Sequence, residues 1–266
     1  MAVERDVEPD VVSEDGSVNT KVYIHEFIDI IGHNRARYLH HMTANWCPVA
    51  RDERNQLCLG VWATVGSTGR WPEVVNLWEL DGWDGLVGNF AHETVGSGLQ
   101  DPSLAEWWAA AASLRRGGID RILVPEPWTR TVDELVADGV RGELYAHELV
   151  SVPPGTAVAF LAAVHDHGVA AHAELGVDVV GAFRVAMVND SECVLIWAIP
   201  DWATWAAVEQ AWLAATTGDG PLALWRAITL EVGADWRRIA MVDAPLSPLR
   251  IRRQPEIGDR VPLDQL

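Results

Sequence analysis

A strand-like segment occurs twice in this 266-residue chain, and that repetition limits the fold more than any other feature. Residues 21–32 read KVYIHEFIDIIG and residues 143–155 read ELYAHELVSVPPG. Tyr23, His25, Glu26 and Phe27 in the first copy answer Tyr145, His147, Glu148 and Leu149 in the second, and each copy ends at a Gly that opens a helical pattern. Short runs rich in Val, Ile, Tyr and Phe suit strands buried on both faces. Because strand side chains alternate, Tyr23, His25 and Phe27 share one face, and Ile24, Glu26 and Ile28 the other.

Further landmarks extend the repeat. Ala36, Leu39, Met42 and Trp46 recur at helical spacing over residues 33–46, and Pro48 is expected to end that helix. Strands are expected next at 56–65 and 73–80, joined by GSTGRWP. A broken helical region spans 83–116; its second part, from residue 104, ends at Gly117 and Gly118 before a short strand at 121–125. The same order returns as strand 143–152, helix 156–175, strands 177–188 and 192–199, a Trp-rich helical region 201–230 and strand 238–242. Gly60-Val-Trp62 matches Gly181-Ala-Phe183, Trp78 matches Trp197, Trp83 matches Trp202, Trp107 matches Trp225, and RILVPEP from Arg121 matches RIAMVDAP from Arg238. The offsets between partners drift in one direction along the chain, where chance matches would scatter. The repeat therefore implies two copies of one β-α-β-β-α-β unit sharing a core. The expected organisation is a disordered leader over 1–20, a first ferredoxin-like repeat over 21–125, a linker over 126–142, a second repeat over 143–245 and a tail over 246–266 that wraps the body.

Composition narrows the partners. The net charge is −18, with 20 basic against 38 acidic residues, which disfavours nucleic acid and anionic membrane surfaces. No apolar stretch is long enough to span a bilayer and the first residues are acidic, so a cytoplasmic location is expected. Three cysteines without CxxC spacing indicate neither a disulfide framework nor a zinc knuckle. Fourteen tryptophans against three tyrosines and four phenylalanines mean that a core or a pocket is lined with indoles. GxGxxG, P-loop and GxSxG motifs are missing.

The strand bearing Tyr23 and His25, its copy bearing Tyr145 and His147, the Trp78 and Trp197 strands and the long broken second helical region together resemble the NIPSNAP branch of the dimeric α/β-barrel superfamily. The resemblance covers 21–125 and 143–245 and implies an α+β fold. Tandem ferredoxin-like repeats would face each other, one chain supplying both halves of a dimeric-α/β-barrel-like arrangement. That superfamily includes cofactor-independent monooxygenases, polyketide cyclases, lactone isomerases, stress-responsive binding proteins and haem enzymes, so the chemistry must come from the residues.

His25 and His147 are candidate general acid/base groups, with a structural pair at the seam between repeats as the alternative. Glu26 and Glu148 point the other way and are candidate buried bases of raised pKa, or partners of a cation such as Arg37. Tyr23, Trp62, Trp78, Tyr145 and Trp197 are candidate walls for a flat ligand. His33 and His40, like His165 and His172, lie two turns apart and cannot bite one ion; they read as solvated helix faces, and no metal site is expected. Haem would need a helix histidine such as His165, His167 or His172, with no motif to support it. The reading is a cofactor-independent acid/base enzyme of isomerase, cyclase or lyase type acting on a hydrophobic aromatic or polycyclic small molecule. Retention of both histidines weights the choice toward His25 or His147, assisted by Glu26 or Glu148. The alternatives are a cofactor-free monooxygenase and a non-catalytic small-molecule-binding protein, and the arrangement is compatible with further homo-oligomerisation.

Overall fold

Strands that are apolar on both faces need cover on both, and closing the sheet on itself provides one of the two. In a computed structural model describing residues 18–216 and 218–262, eight strands form a closed barrel. They are β1 (Val22–Ile30), β2 (Gln56–Thr64), β3 (Glu73–Leu80), β4 (Arg115–Pro125), β5 (Leu144–Ser151), β6 (Asp178–Val185), β7 (Glu192–Ile199) and β8 (Asp235–Asp243). The order around the barrel is β1-β3-β2-β8-β5-β7-β6-β4 with antiparallel neighbours throughout. Each half thus has the ferredoxin-like order, β4-β1-β3-β2 and β8-β5-β7-β6. The halves meet at two short seams of three registered pairs each, Trp62 to Asp243 through Thr64 to Met241, and Leu123 to Val185 through Pro125 to Phe183. The fold is α+β, with tandem repeats making both halves of the barrel.

The barrel interior is where the repeats adhere. Tyr23 meets Phe183 edge-on at 5.0 Å, Trp62 meets Tyr145 at 5.6 Å, and both pairs join one repeat to the other. Gly60 and Gly181 make room for them. In each half the register slips just before the glycine, between Cys58 and Gly60 and between Val179 and Gly181, and the ring two residues on folds back over it. A Cβ at Gly60 would overlap the Trp62 indole, and one at Gly181 the Phe183 ring. The matched Gly-x-aromatic triplets are therefore duplicated bulges, with Leu59 and Val180 turned into the same core.

Helices cover the outside. The first helical layer runs through α1 (Arg35–His40), a π-helical segment (His41–Trp46) and α2 (Cys47–Arg54), so Pro48 does not end it. The wide π turn takes the strain: the Ala44 carbonyl, which an ordinary helix would direct at residue 48, accepts instead from Arg260 Nε at 3.2 Å. The second copy repeats the device in α6 (Ala157–Ala163), a π segment (Val164–Gly168) and α7 (Val169–Ala173). The solvated-face reading of the helix histidines is corrected, since His40, His41 and His172 are buried: the second π segment adds a residue to the turn and rotates His172 inward, while His40 accepts from the Val261 N–H at 3.2 Å and His41 stacks on Trp107 at 4.9 Å. Helices α3 (Gly82–Glu93) and α4 (Ala105–Ala112) complete the first layer, α8 (Trp202–Ala214) and α9 (Pro221–Glu231) the second. β4 begins at Arg115, inside the stretch read as helix, because Gly118 lets its backbone pass so close to β1 that a Cβ would overlap the Phe27 carbonyl. β8 likewise starts at Asp235, ahead of the expected 238.

Residues 126–142 contain α5 (Val132–Ala137), capped reciprocally by Thr131 and Glu134. Its Val132 and Leu135 enter the barrel-interior cluster, and the Val132 N–H donates to Glu79 Oε2 at 2.8 Å, the atom that also accepts from the Tyr23 hydroxyl at 2.8 Å. Over residues 246–262 the chain lies along the first repeat. It forms α10 (Pro248–Ile251), and Gln254 bonds both the N–H and the carbonyl of Cys58, at 3.1 and 2.8 Å. Residues 1–17 of the expected leader lie outside the described residues.

If the two bulges set the barrel packing, Gly60→Ala and Gly181→Ala should each lower unfolding free energy by about 1–3 kcal/mol, the cost of over-packing a filled core. Urea titration measures this. Gly88→Ala is the control, since a Cβ there meets nothing within 4 Å.

Candidate active site

Pleat alternation places the candidate residues in three environments. His25 and His147 point into the barrel, both fully buried, with ring centroids 5.9 Å apart and planes inclined by 22°. Phe27 lies 5.0 Å from His25, and Trp62 lies 4.8 Å from His147. None of the four imidazole nitrogens has a hydrogen-bond partner among the described residues. Burial holds His25 well below the usual histidine range, with His147 and Arg121 adding to the effect, and pushes His147 down to about 3. Both rings are therefore neutral in the physiological range. Tyr23, Tyr145 and Trp62 share this filled interior.

Glu148 and Trp197 lie on the outer face of the second repeat, which is also filled. The Glu148 Oε1 accepts from Arg238 Nε at 2.7 Å, and Arg238 continues to Glu209 at 2.9 Å. His172 stacks on Trp197 at 4.0 Å, its Nδ1 bonded to the Gly168 carbonyl at 2.8 Å, and Phe160 and Trp225 close the remaining space.

Glu26 and Trp78 face a cavity of about 170 Å³ between the sheet and helices of the first repeat. Glu26 Oε2 accepts from Trp78 Nε1 at 2.6 Å and from Asn76 Nδ2 at 2.9 Å, and Asn76 Nδ2 also donates to the Tyr38 hydroxyl at 3.1 Å. This leaves Oε1 toward the cavity. Trp46, Trp107 and Trp108 form further walls, and Arg115 lies over Trp108 at 5.5 Å. The floor is held from the side: Arg54 and His92 both bind Asp101, whose Oδ1 accepts from the Ser103 N–H at 2.9 Å, so the segment before α4 is tied to α2 and α3. Burial, reinforced by Asp120, pushes the Glu26 carboxyl up to about 7, although the Trp78 and Asn76 hydrogen bonds and Arg115 oppose the shift.

The two glutamates are equivalent in the fold and differ in their neighbours. Across β1 and β4, Glu26 pairs with Asp120; across β5 and β8, Glu148 pairs with Arg238. This corrects the matching of Arg121 to Arg238: the register differs by one residue, so Arg121 points into the barrel and Arg238 out of it. Asn76 opposite Glu26 is replaced by Leu195 opposite Glu148. Tyr38 is replaced by Phe160, at the same offset from the paired histidines. Sequence reasoning missed Asn76, Tyr38, Arg54, Arg115 and Asp120. Asn76 did carry a signal, as the only polar residue inside the apolar run VVNLW.

Among the described residues, no group of three or more His, Cys, Asp or Glu side chains could hold a metal ion. The residues fit haem poorly as well. No histidine lines the cavity, His167 is exposed, His165 bonds Asp166 at 3.1 Å, and His172 is held against Trp197.

No protein-family model and no curated protein matches the chain. Solved structures do match in fold. A candidate monooxygenase from Lactobacillus acidophilus NCFM aligns with a TM-score of 0.53 at 9% identity, over 85% of this chain and 97% of its own. An anthrone oxidase-like protein aligns with a TM-score of 0.56 at 9% identity, over 88% and 94%. The chain has the architecture of the dimeric α/β-barrel proteins, with both halves in one polypeptide. No helix among the described residues is long and apolar enough to cross a membrane.

The glutamates should respond oppositely to neutralisation. A folded-state pKa of about 7 against 4.5 means that folding takes up a proton between those values, so stability falls as pH rises through that window. The full effect is roughly 3 kcal/mol. Glu26→Gln should therefore be more stable than wild type at pH 8, with the gap closing by pH 4.5. Glu148→Gln should lose about 3 kcal/mol at pH 8, because it breaks a buried pair and strands Arg238. Urea melts at the two pH values measure both.

Proposed function

We propose that the first-repeat cavity is the active site of a proton-transfer enzyme in which Glu26 is the general base. The carrying observation is a carboxyl group at about pKa 7 whose Oε2 is fixed by Trp78 and Asn76 while Oε1 faces an indole-lined cavity. A base poised near neutrality can take a proton from a weak carbon or hydroxyl acid and return it without a cofactor. Arg115 at the edge would stabilise the oxyanion that forms, and the four indoles would hold a flat ring. A cavity of about 170 Å³ is close to the ~150 Å³ that accepts benzene, so a single-ring aromatic suits it better than a polycyclic one. Isomerisation, cyclisation and elimination all begin with such a step. In this reading His25 and His147 are structural, and Glu148, Trp197, Tyr23, Trp62 and Tyr145 support the fold around the site. The duplicated strand pattern supports the NIPSNAP-like branch as the finer affiliation.

A second reading shares the first step. The names of the two fold neighbours favour it: the carbanion left by Glu26 would react with dioxygen, a CH₂ group becoming C=O with one O₂ consumed and one water released. Single-ring phenols and hydroxyaryl ketones, screened for deuterium exchange at acidic C–H positions, test the first reading, and oxygen uptake on the same compounds tests the second. Glu26→Gln should lower kcat/KM by about 10²–10⁴-fold. The wild-type rate should rise with pH to a plateau, with its midpoint near 7. Full activity in a folded Glu26→Gln protein would overturn both readings.

A further inference from the structure

The barrel is plugged at one end only. Where β1 and β5 begin, Val132 and Leu135 of α5 and Leu249 of α10 join the interior cluster. Where β1 and β5 finish and β4 and β8 begin, Phe27, Leu149 and Ile239 floor a second cavity of about 210 Å³. Three guanidinium groups border it. Arg70 is paired with Asp29 at 2.8 Å. Arg121 and Arg237 come from β4 and β8, which stand opposite one another in the strand order, and among the described residues neither forms an ion pair. The Arg121 guanidinium lies 5.6 Å over the Phe27 ring, and its Nη1 is buried without a hydrogen-bond partner.

An unbonded N–H on a cation at the wall of an apolar cavity is costly unless something outside the chain satisfies it. The available carboxylates do not. Asp29 is taken by Arg70, and Glu73, 5% exposed, is pushed up to about 7 by burial against the pull of Arg70, Arg237 and Arg121. The mouth is thus short of negative charge while its floor is apolar.

We propose that the barrel mouth is a second ligand site, separate from the Glu26 cavity, for a compact monocarboxylate with an apolar body. Its carboxylate sits between Arg121 and Arg237, and its body rests on Phe27, Leu149 and Ile239. Planar guanidinium forks match carboxylate geometry, and the volume exceeds the ~150 Å³ needed for one benzene ring by about the room a carboxylate needs. A bare anion would satisfy the arginines and leave the floor wet.

The test is calorimetric titration of the full-length chain with benzoate, with benzamide and sulfate in parallel. Benzoate should bind at least tenfold more tightly than either. Arg121→Gln and Arg237→Gln should each weaken benzoate about tenfold, and at pH 8, where Glu73 is ionised, Glu73→Gln should tighten it severalfold by removing the competing carboxylate. Glu26→Gln should change it by less than about threefold, the scale of a weak coupling between separate sites. No heat of binding up to about 10 mM benzoate overturns the proposal, as does benzamide or sulfate binding equally well. So does a larger change with Glu26→Gln, and so does Glu73→Gln failing to tighten binding, an outcome that does not depend on how well the arginine variants fold.

Discussion

Closure of the barrel is the constraint on which everything else rests, because it gives each strand residue one of two fates one position apart. His25 falls inside and Glu26 outside, and no local flexibility can exchange them without reversing the whole strand. The interior is also the joint between repeats. Seams of three registered pairs hold much less than the six to eight pairs inside each half, so the contacts of Trp62 with Tyr145 and His147, and of Tyr23 with Phe183, supply the adhesion. A space used that way is filled. The paired histidines survive there as neutral rings, since a neutral imidazole costs far less to bury than a charge.

In the proposed reading function is then left to the outer face, where the two copies have diverged by a few side chains. In the second repeat Arg238 neutralises Glu148, while Phe160 and Trp225 occupy the volume above it. In the first, Asp120 stands where Arg238 would, Tyr38 replaces Phe160, and the volume stays open. The same backbone therefore holds one glutamate in an ion pair and the other near its titration midpoint. Two neutral donors, Trp78 and Asn76, keep Glu26 oriented without supplying the positive charge that would lower its pKa fully. Such a carboxyl opposes folding at neutral pH, the expected mark of a group retained for chemistry.

The duplication made the fold legible: the aromatic-x-His-Glu strands, the Gly-x-aromatic bulges and the Trp78/Trp197 pair all fall at equivalent positions of the two sheets. Alternation also assigned His25 and Glu26 to opposite faces. It could not reveal which face was empty, because that depends on Phe160, Trp225 and His172 filling one repeat and not the other. The π turn at 164–168 hid the burial of His172, since a one-residue insertion shifts every later position around the helix, while His40 and His41 are covered from outside their helix, by Val261 and by Trp107. The start of β4 was hidden for a different reason. RRGGID combines charge and glycine as a helix end does, and only its closeness to β1 makes it a strand.

That same stretch links the two cavities physically. Gly118 borders both, and its missing side chain lets the β4 backbone act as the thin wall between them. Arg115 and Asp120 emerge on the helix side beside Glu26, while Ile119 and Arg121 emerge at the barrel mouth. Charge on one side is felt on the other: burial raises the pKa of Asp120 against the pull of Arg115 and Arg121, and Asp120 in turn adds to the burial that raises that of Glu26. An anion held on Arg121 would screen its positive charge, weaken its pull on Asp120 and favour the protonated form of that carboxyl. With less negative charge at Asp120, the upward push on Glu26 would relax. Occupancy of the mouth would in this way bear weakly on the protonation of the base through a single intervening strand, with no movement of the backbone required.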